Sequence, residues 1–531
     1  MFVRLKSVQS NRRRYQYLQI VENRREGAKV RQHIVGNLGR LDELLERGEL
    51  EQVITQLVEH CPSVKLLRAQ AAGGLSLEAD RLWGPVLILE RIWEELGLGK
   101  LLRGLAARKQ KRFDFDWERM IFAQVLQRLL EPGSELRGSQ WIQTVHEPAF
   151  EALSLAHFYR SLGWLWQKKH EIERSLYRRE LDLFNAELEL VFFDTTSTYF
   201  EGRRLAGWAK LGKSKDHRPD HLQLVIGVVM RRDGFPIACE IWPGNTADVR
   251  TLKPILDALR TRFAIGKVVL VCDRGMVSAA NLEALEAAGY QYIVGMKMRG
   301  LAEVRDEVLG RAGRYHEVDE ALQVKEVHID ERRYVICYNP DEARKDEHDR
   351  EAIVAKLREK LASGGVKRLI NNRGYRRYLK LAGERTSVDE RALKAEARYD
   401  GKYVLRTTTE LPAEEVARAY KDLSWIERLW RELKAVMELR PIFHWRKREN
   451  VKGHIFVCFL ALHVAAFLRR RLAQAGLKLP WDEVIRDLSQ LRAVLVKLDG
   501  ERYLMRSPLK GCAGQVFAAL GVKVPPLAQP A

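Results

Sequence analysis

The sequence predicts an α/β protein built on a mixed sheet, and three observations carry the prediction. Between about residues 188 and 300, short apolar runs alternate with amphipathic ones in the order three strands, helix, strand, helix, strand. Asp233-Gly234 joins the second and third strands as a tight hairpin turn. The two later strands are each reached through a helix, the crossover that a parallel neighbour requires. The expected sheet is therefore a hairpin meander extended by parallel α/β crossovers.

The elements follow in chain order. FVRLKSV, RRYQYLQIVEN and KVRQHIVGNLG are rich in Val, Ile and Tyr and are parted by polar turns, so residues 1–40 read as an N-terminal β module. The cluster Arg12, Arg13 and Arg14 at one turn suits either a solvated hairpin or a phosphate contact. Residues 41–185 carry apolar side chains at i, i+3, i+4 spacing and read as helical, with a break at Pro132-Gly133-Ser134. Arg108, Lys109, Lys111 and Arg112 make a DNA-binding role for this region plausible, and Trp141, Trp164 and Trp166 read as core.

Residues 186–300 and 406–475 form the α/β domain, and 300–405 interrupt it as a β-rich insertion. Within the insertion EVHIDERRYVICYNP reads as a hairpin, DEARKDEHDREAIVAKLREKLA as a charged helix, and EARYDGKYVLRTTTEL as a second hairpin turning at Asp400-Gly401. Pro412, with Glu414 and Glu415 behind it, starts a helix. In residues 476–531, WDEVIRDLSQLRAVLVKL reads as a helix before a Pro-rich end.

The chain of 531 residues is too long for one ordinary core, and its 46% hydrophobic and 31% charged content is that of a globular protein. A net charge of +20 attracts polyanions, and nucleic acid is the expected partner. The basic residues are spread along the chain instead of lining one amphipathic helix, which argues against a membrane surface. The longest apolar run, Ile455 to Leu468, is shorter than the roughly 20 residues of a membrane span and reads as a core helix. Six scattered cysteines show no zinc spacing and fit buried free thiols in a cytoplasmic protein.

Asp194 in VFFDTT and Asp273 in VLVCDRG stand at the ends of apolar strands, the sheet edge where α/β proteins place ligands. Carboxylates held rigidly there suit a hard divalent cation, which takes oxygen ligands and keeps waters and substrate phosphates. A third acid, Glu427, lies in YKDLSWIERLWRELK, where Leu423, Ile426, Trp430, Leu433 and Met437 fall on one helical arc. Tyr420, Glu427 and Lys434 are seven apart and line a stripe beside that arc. Taken alone, Glu427 reads first as an i, i+4 ion-pair partner of Arg431 on a solvated face.

These residues carry a resemblance. The chain is similar to the DDE transposases of bacterial insertion sequences, and within them to the branch with a Tyr-x2-Arg-x3-Glu-x6-Lys signature. Here the signature reads Tyr420, Leu423, Glu427 and Lys434, with leucine in place of arginine. VFFDTTSTYFEG, GKSKDHRPDHLQLVIGVV, PGNTAD, VCDRGM and LRPIFHWRKRENVKGHIFVCFLAL are similar too. The resemblance implies an RNase H-like mixed sheet with flanking helices, a β-rich insertion before the last catalytic helix and a mainly helical N-terminal region. It implies that Asp194, Asp273 and Glu427 bind two Mg²⁺ ions, or Mn²⁺ in their place, and that Tyr420 and Lys434 contact phosphates. Either Arg428 or Arg431 substitutes for the missing arginine, or position 423 is apolar packing and the contact is lost. Lys215 and Arg218, in the basic loop after the first strand, are expected to contact the DNA backbone, whereas Asp216, Asp220 and Asp248 read as turn or cap residues. The implied activity is cleavage at the ends of the element and joining of the 3′-hydroxyl to target DNA, by a homodimer on double-stranded DNA in the cytoplasm. A metal-dependent nuclease without joining, and a non-catalytic DNA-binding protein, are the alternatives.

Overall fold

The structure is a computed structural model and describes all residues except 11–12, 27–28, 62–63, 66–75, 111, 185–189, 202–207, 264, 266–267, 363–371, 383–384, 441, 443–446 and 499. Arg12 and Lys111, named above as basic candidates, lie outside the described residues. The chain divides into two compact units, Met1–Pro85 with Pro480–Ala531, and Val86–Leu479. The first opens with β1 (Phe2–Ser10), β2 (Arg13–Glu26) and β3 (Lys29–Arg40), paired antiparallel in that order, followed by two short helices and β4 (Ser76–Leu82).

The larger unit is organised on a sheet whose first strands are β5 (Leu190–Tyr199), β6 (Gln223–Arg231), β7 (Pro236–Pro243), β8 (Val269–Cys272) and β9 (Gln291–Gly295). β5, β6 and β7 pair antiparallel, β8 joins β5 in parallel and β9 joins β8 in parallel. The spatial order β7-β6-β5-β8-β9 is that of an RNase H-like sheet. Nearly every residue of β5 and every residue of β6 is buried, as continuous apolar runs require when both faces are covered.

The inserted residues add β10 (His316–Asp319), β11 (Leu322–Ile329), β12 (Arg332–Tyr338), the small hairpin β13 (Leu379–Ala382) and β14 (Arg385–Val388), and β15 (Lys402–Thr407). The hairpin β11–β12 forms where the sequence suggests it. The second expected hairpin does not. Gly401 turns the chain out of a helix over Glu390–Ala397, and β15 pairs antiparallel with β12 on one side and β9 on the other. The inserted strands therefore continue the sheet to nine strands, in the order β10-β11-β12-β15-β9-β8-β5-β6-β7.

Helices complete the unit. The helix Arg448–Gln474 is long and apolar enough to cross a membrane by composition, yet 89% of its apolar window is buried in the protein. It packs on the helices Leu155–Gln167 and Trp117–Leu130 and on β7, joining the helical region to the sheet. Gly453 makes the approach possible, since a Cβ there would stand 2.2 Å from the Leu162 carbonyl oxygen. Gly453→Ala is expected to destabilise the unit by about 1–3 kcal/mol, read as a lower midpoint in urea unfolding. Trp164 and Trp166 are not fully buried core residues: Lys168 lies over Trp164 at 5.1 Å and Lys452 over Trp166 at 4.7 Å.

The two units cut across the segments read from sequence. Within residues 41–185, β4 pairs with β16 (Arg492–Leu498), which continues through β17 (Glu501–Arg506) to β18 (Ala528–Pro530). The helix expected to run to Leu498 stops at Ser489, because RAVLVKL is β-branched and finds strand partners on both sides. Gly511, at φ +53°, lets the Asp487 carboxylate come where a Cβ would be, and that carboxylate accepts the Cys512 N–H at 2.9 Å. Five cysteines are buried, Cys61 is exposed, and all six are free thiols.

Candidate active site

The site is built where β8 ends beside β5. Phe193 and Cys272 are the last register pair of this parallel ladder, so Asp194 and Asp273 follow side by side, on strands about 4.8 Å apart. Asp194 is not at a strand end. β5 continues to Tyr199 because β6 remains as its partner after β8 stops. Asp273 does end its strand and opens a short 3-10 turn over Arg274–Met276. Cys272, behind the two acids, has its thiol pushed up to about 12 by burial and then by Asp273 and Asp194, so no thiolate forms there.

Asp194 is partly buried and its Oδ2 accepts the indole N–H of Trp430 at 3.2 Å. Burial raises its pKa above the ordinary aspartate value, and Asp273 adds to the rise. Lys215, the Thr195 N–H and Trp430 oppose it. Tyr420 donates its hydroxyl to Asp273 Oδ1 at 3.2 Å. Gly295 at the end of β9 makes room for that hydroxyl, since a Cβ there would be 2.3 Å from it.

A further carboxylate joins them. Asp248, in the 3-10 turn Asp248–Arg250, accepts the Thr195 hydroxyl at 2.6 Å. A Cβ placed on Gly275 would meet Asp248 Oδ2 at 3.5 Å and Asp273 Oδ2 at 3.8 Å, so both carboxylates border the space beside Gly275. Asn281 fixes both loops by donating to the Val249 and Met276 carbonyls at 2.8 and 2.6 Å. The Lys215 ammonium donates to the Thr195 carbonyl at 2.5 Å and lies 3.7 Å from Asp248 and 3.9 Å from Asp194. Asp248 and Asp273 line a cleft of about 1080 Å³, with Lys213, Lys215, Arg274 and Lys297 also on its walls.

Glu427 comes from a helical run that changes pitch. The α-helix Ala413–Lys421 tightens at Tyr420–Ile426, where Leu423 and Ile426 bond to carbonyls three residues back, and α-helix resumes over Ser424–Arg431. It then widens into a π turn over Glu432–Val436. Glu427 is exposed, one turn before Trp430 and therefore on the neighbouring part of the helix surface. Among the described residues it forms no ion pair, with Arg431 or any other. Leu423 is half-buried at the start of the resumed helix, and Arg431 is exposed.

Several residues expected to meet DNA are engaged within the protein. Tyr420 is on Asp273, Lys215 is among the acids, and Lys434 pairs with Asp216 Oδ1 at 2.7 Å. Burial lowers the Lys434 pKa, with Asp216 opposing. Arg218 lies over the Tyr199 ring at 5.2 Å and pairs loosely with Asp220 at 3.4 Å. Asp216 and Asp248, read from sequence as turn or cap residues, are respectively a buried ion-pair partner and a wall of the site. PGNTAD holds the one sequence signal for Asp248, an acid closely following a buried strand.

The structure sets Asp194 and Asp273 on neighbouring strands of an RNase H-like sheet with Asp248 close by, and among the described residues no three of the acids Asp194, Asp248, Asp273 and Glu427 have carboxylate oxygens within 4.8 Å of one another. The chain belongs to the Transposase DDE domain family, which it matches over residues 186–463. Residues 4–68 match the N-terminal domain of IS1634 family transposases. No curated protein matches the chain. Among solved structures it is similar to a piggyBac transposase synaptic complex with hairpin DNA, at 10% identity and a TM-score of 0.38, covering 78% of this chain and 82% of that one. A Mos1 transposase paired-end complex with left transposon end is similar at 11% identity and a TM-score of 0.15, over 35% of this chain and 60% of that one.

Proposed function

We propose that this transposase cleaves the ends of an insertion sequence and joins the freed 3′-hydroxyl to target DNA in a reaction that depends on divalent metal. The observation that carries the reading is the adjacent placement of Asp194 and Asp273 on parallel neighbours, with Asp248 and Asp273 both bordering Gly275. This all-carboxylate donor set suits Mg²⁺ or Mn²⁺, and Gly275 leaves open the space a side chain would fill. Asp194 and Asp273 would hold the ions, with Glu427 supplied from its helix. Bound there, two ions would activate the attacking hydroxyl and stabilise the leaving oxygen.

The chain's own groups do the positioning. Trp430 holds Asp194 Oδ2 and Tyr420 holds Asp273 Oδ1, each by one hydrogen bond, while Lys215 lies 3.9 Å from Asp194 Oδ1. Lys213, Arg274 and Lys297 set positive charge on the cleft wall, where a phosphodiester's charge must be neutralised. The net charge of +20 supports binding to double-stranded DNA, and cutting two ends in concert calls for two copies of the chain.

Pre-cut element ends and a target plasmid are supplied with Mg²⁺, and joined products are expected, with none after EDTA. Degradation without joined product would favour the nuclease instead. Between 50 and 200 mM salt the affinity for DNA is expected to fall by about 10³-fold or more, measured by fluorescence anisotropy. A flat response would count against a DNA-binding chain.

A further inference from the structure

We propose that Asp216 is a positioning residue for the carboxylate site, and that Lys434 acts through it inside the protein instead of on a DNA phosphate. The proposal rests on the transposase reading above. Asp216 lies in the polar loop GKSKDHRPD, yet its side chain is only 3% exposed. Its Oδ1 takes Lys434 at 2.7 Å and Arg440 at 2.5 Å, and its Oδ2 is buried with no partner. A buried carboxylate is tolerated only when paired, so the two cations account for its neutralisation. Lys434 is itself only 9% exposed. A phosphate contact needs an ammonium that DNA can reach.

The residue before Asp216 grips the other side of the site. The Lys215 N–H donates to Ser197 Oγ at 2.8 Å and its ammonium to the Thr195 carbonyl, both on β5 just beyond Asp194. Ser214 Oγ accepts the N–H groups of Asp216 and Arg218 at 3.1 and 3.0 Å, which sets the turn between the two grips. Two consecutive residues thus tie the strand bearing Asp194 to the helical run bearing Glu427 and Trp430. Lys434 is one turn past Trp430 and two turns past Glu427, so anchoring it sets the height of that helix against Asp194.

Lys434→Met, Asp216→Asn and the double variant are compared with the wild-type chain on an element-end duplex, reading kcat and KM for cleavage and the salt dependence of binding. Each single variant is expected to lose at least tenfold in kcat, with KM and the salt slope unchanged. The double variant is expected to be no worse than the poorer single variant, because both act through one contact. Lys434→Arg should recover part of the loss. If Lys434→Met instead flattens the salt slope by about one phosphate contact and Asp216→Asn leaves it unchanged, Lys434 touches DNA and the proposal is overturned. Lys434→Met leaves Arg440 on Asp216, so this comparison stands even if Asp216→Asn does not fold. A wild-type chain that binds DNA without cutting it would overturn the transposase reading, while the salt slope still decides where Lys434 acts.

Discussion

Asp194→Asn and Asp273→Asn should each lower the rate of end cleavage by about 10³-fold or more and leave DNA affinity within a few-fold of wild type. Asparagine keeps the shape of the side chain and its hydrogen bond from Trp430 or Tyr420. What it removes is the negative charge that a divalent cation needs. Rates are read from single-turnover cleavage of an end duplex at saturating enzyme, and affinities from anisotropy in Ca²⁺. If both variants cut normally, the acids are structural. Glu427→Gln is expected to behave likewise, and its comparison with Asp248→Asn separates two candidates for the third ligand. Glu427 is the signature acid, while Asp248 is the one that borders Gly275 together with Asp273.

The largest effect on stability is expected at Lys169. Its side chain is 1% exposed and its ammonium lies 2.9 Å from Glu173 and 3.1 Å from Glu240, with Arg262 at 2.7 Å from Glu173 and 2.8 Å from Glu240. This quartet joins the helix Lys169–Phe184 to β7 and the helix Leu252–Phe263, inside the unit that holds the site. Lys169→Met leaves two desolvated carboxylates to share one guanidinium, at a loss of about 3–5 kcal/mol. The urea unfolding midpoint should fall accordingly. Arg358→Met breaks a pair of nearly equal length, 3.0 Å to Glu390, but both partners are more than 60% exposed. Its effect should stay within about 1 kcal/mol. Equal losses from the two substitutions would show that burial does not set the strength of these pairs.

What the sequence revealed was set by local patterns. β5 to β9 were legible because each is an apolar run closed by a turn or helix start, and Asp194 and Asp273 stood out as acids interrupting such runs. The partners of β15 were not legible, since DGKYVLRT suits a local hairpin as well as a strand reaching back to β9. For the same reason Asp194 was read as a strand end: whether β5 continues depends on β6, far along the chain. Asp216 was hidden differently. Polar loops are usually solvated, and only the fold brings Lys434 and Arg440 onto this one. The Leu423 position, where the signature has arginine, coincides with the tightened turn of the helix, a change of pitch that spacing alone does not reveal.

The place of β15 also governs the order of assembly. Emerging from the ribosome, the chain offers Asp194 and Asp273 long before it offers Tyr420, Glu427 and Trp430, and β15 must first slot between β9 and β12. Until it does, β9 is a bare edge and neither aspartate has its hydrogen-bond partner from the helix. A nascent chain thus carries both aspartates before it carries the residues that hold them, Tyr420 and Trp430.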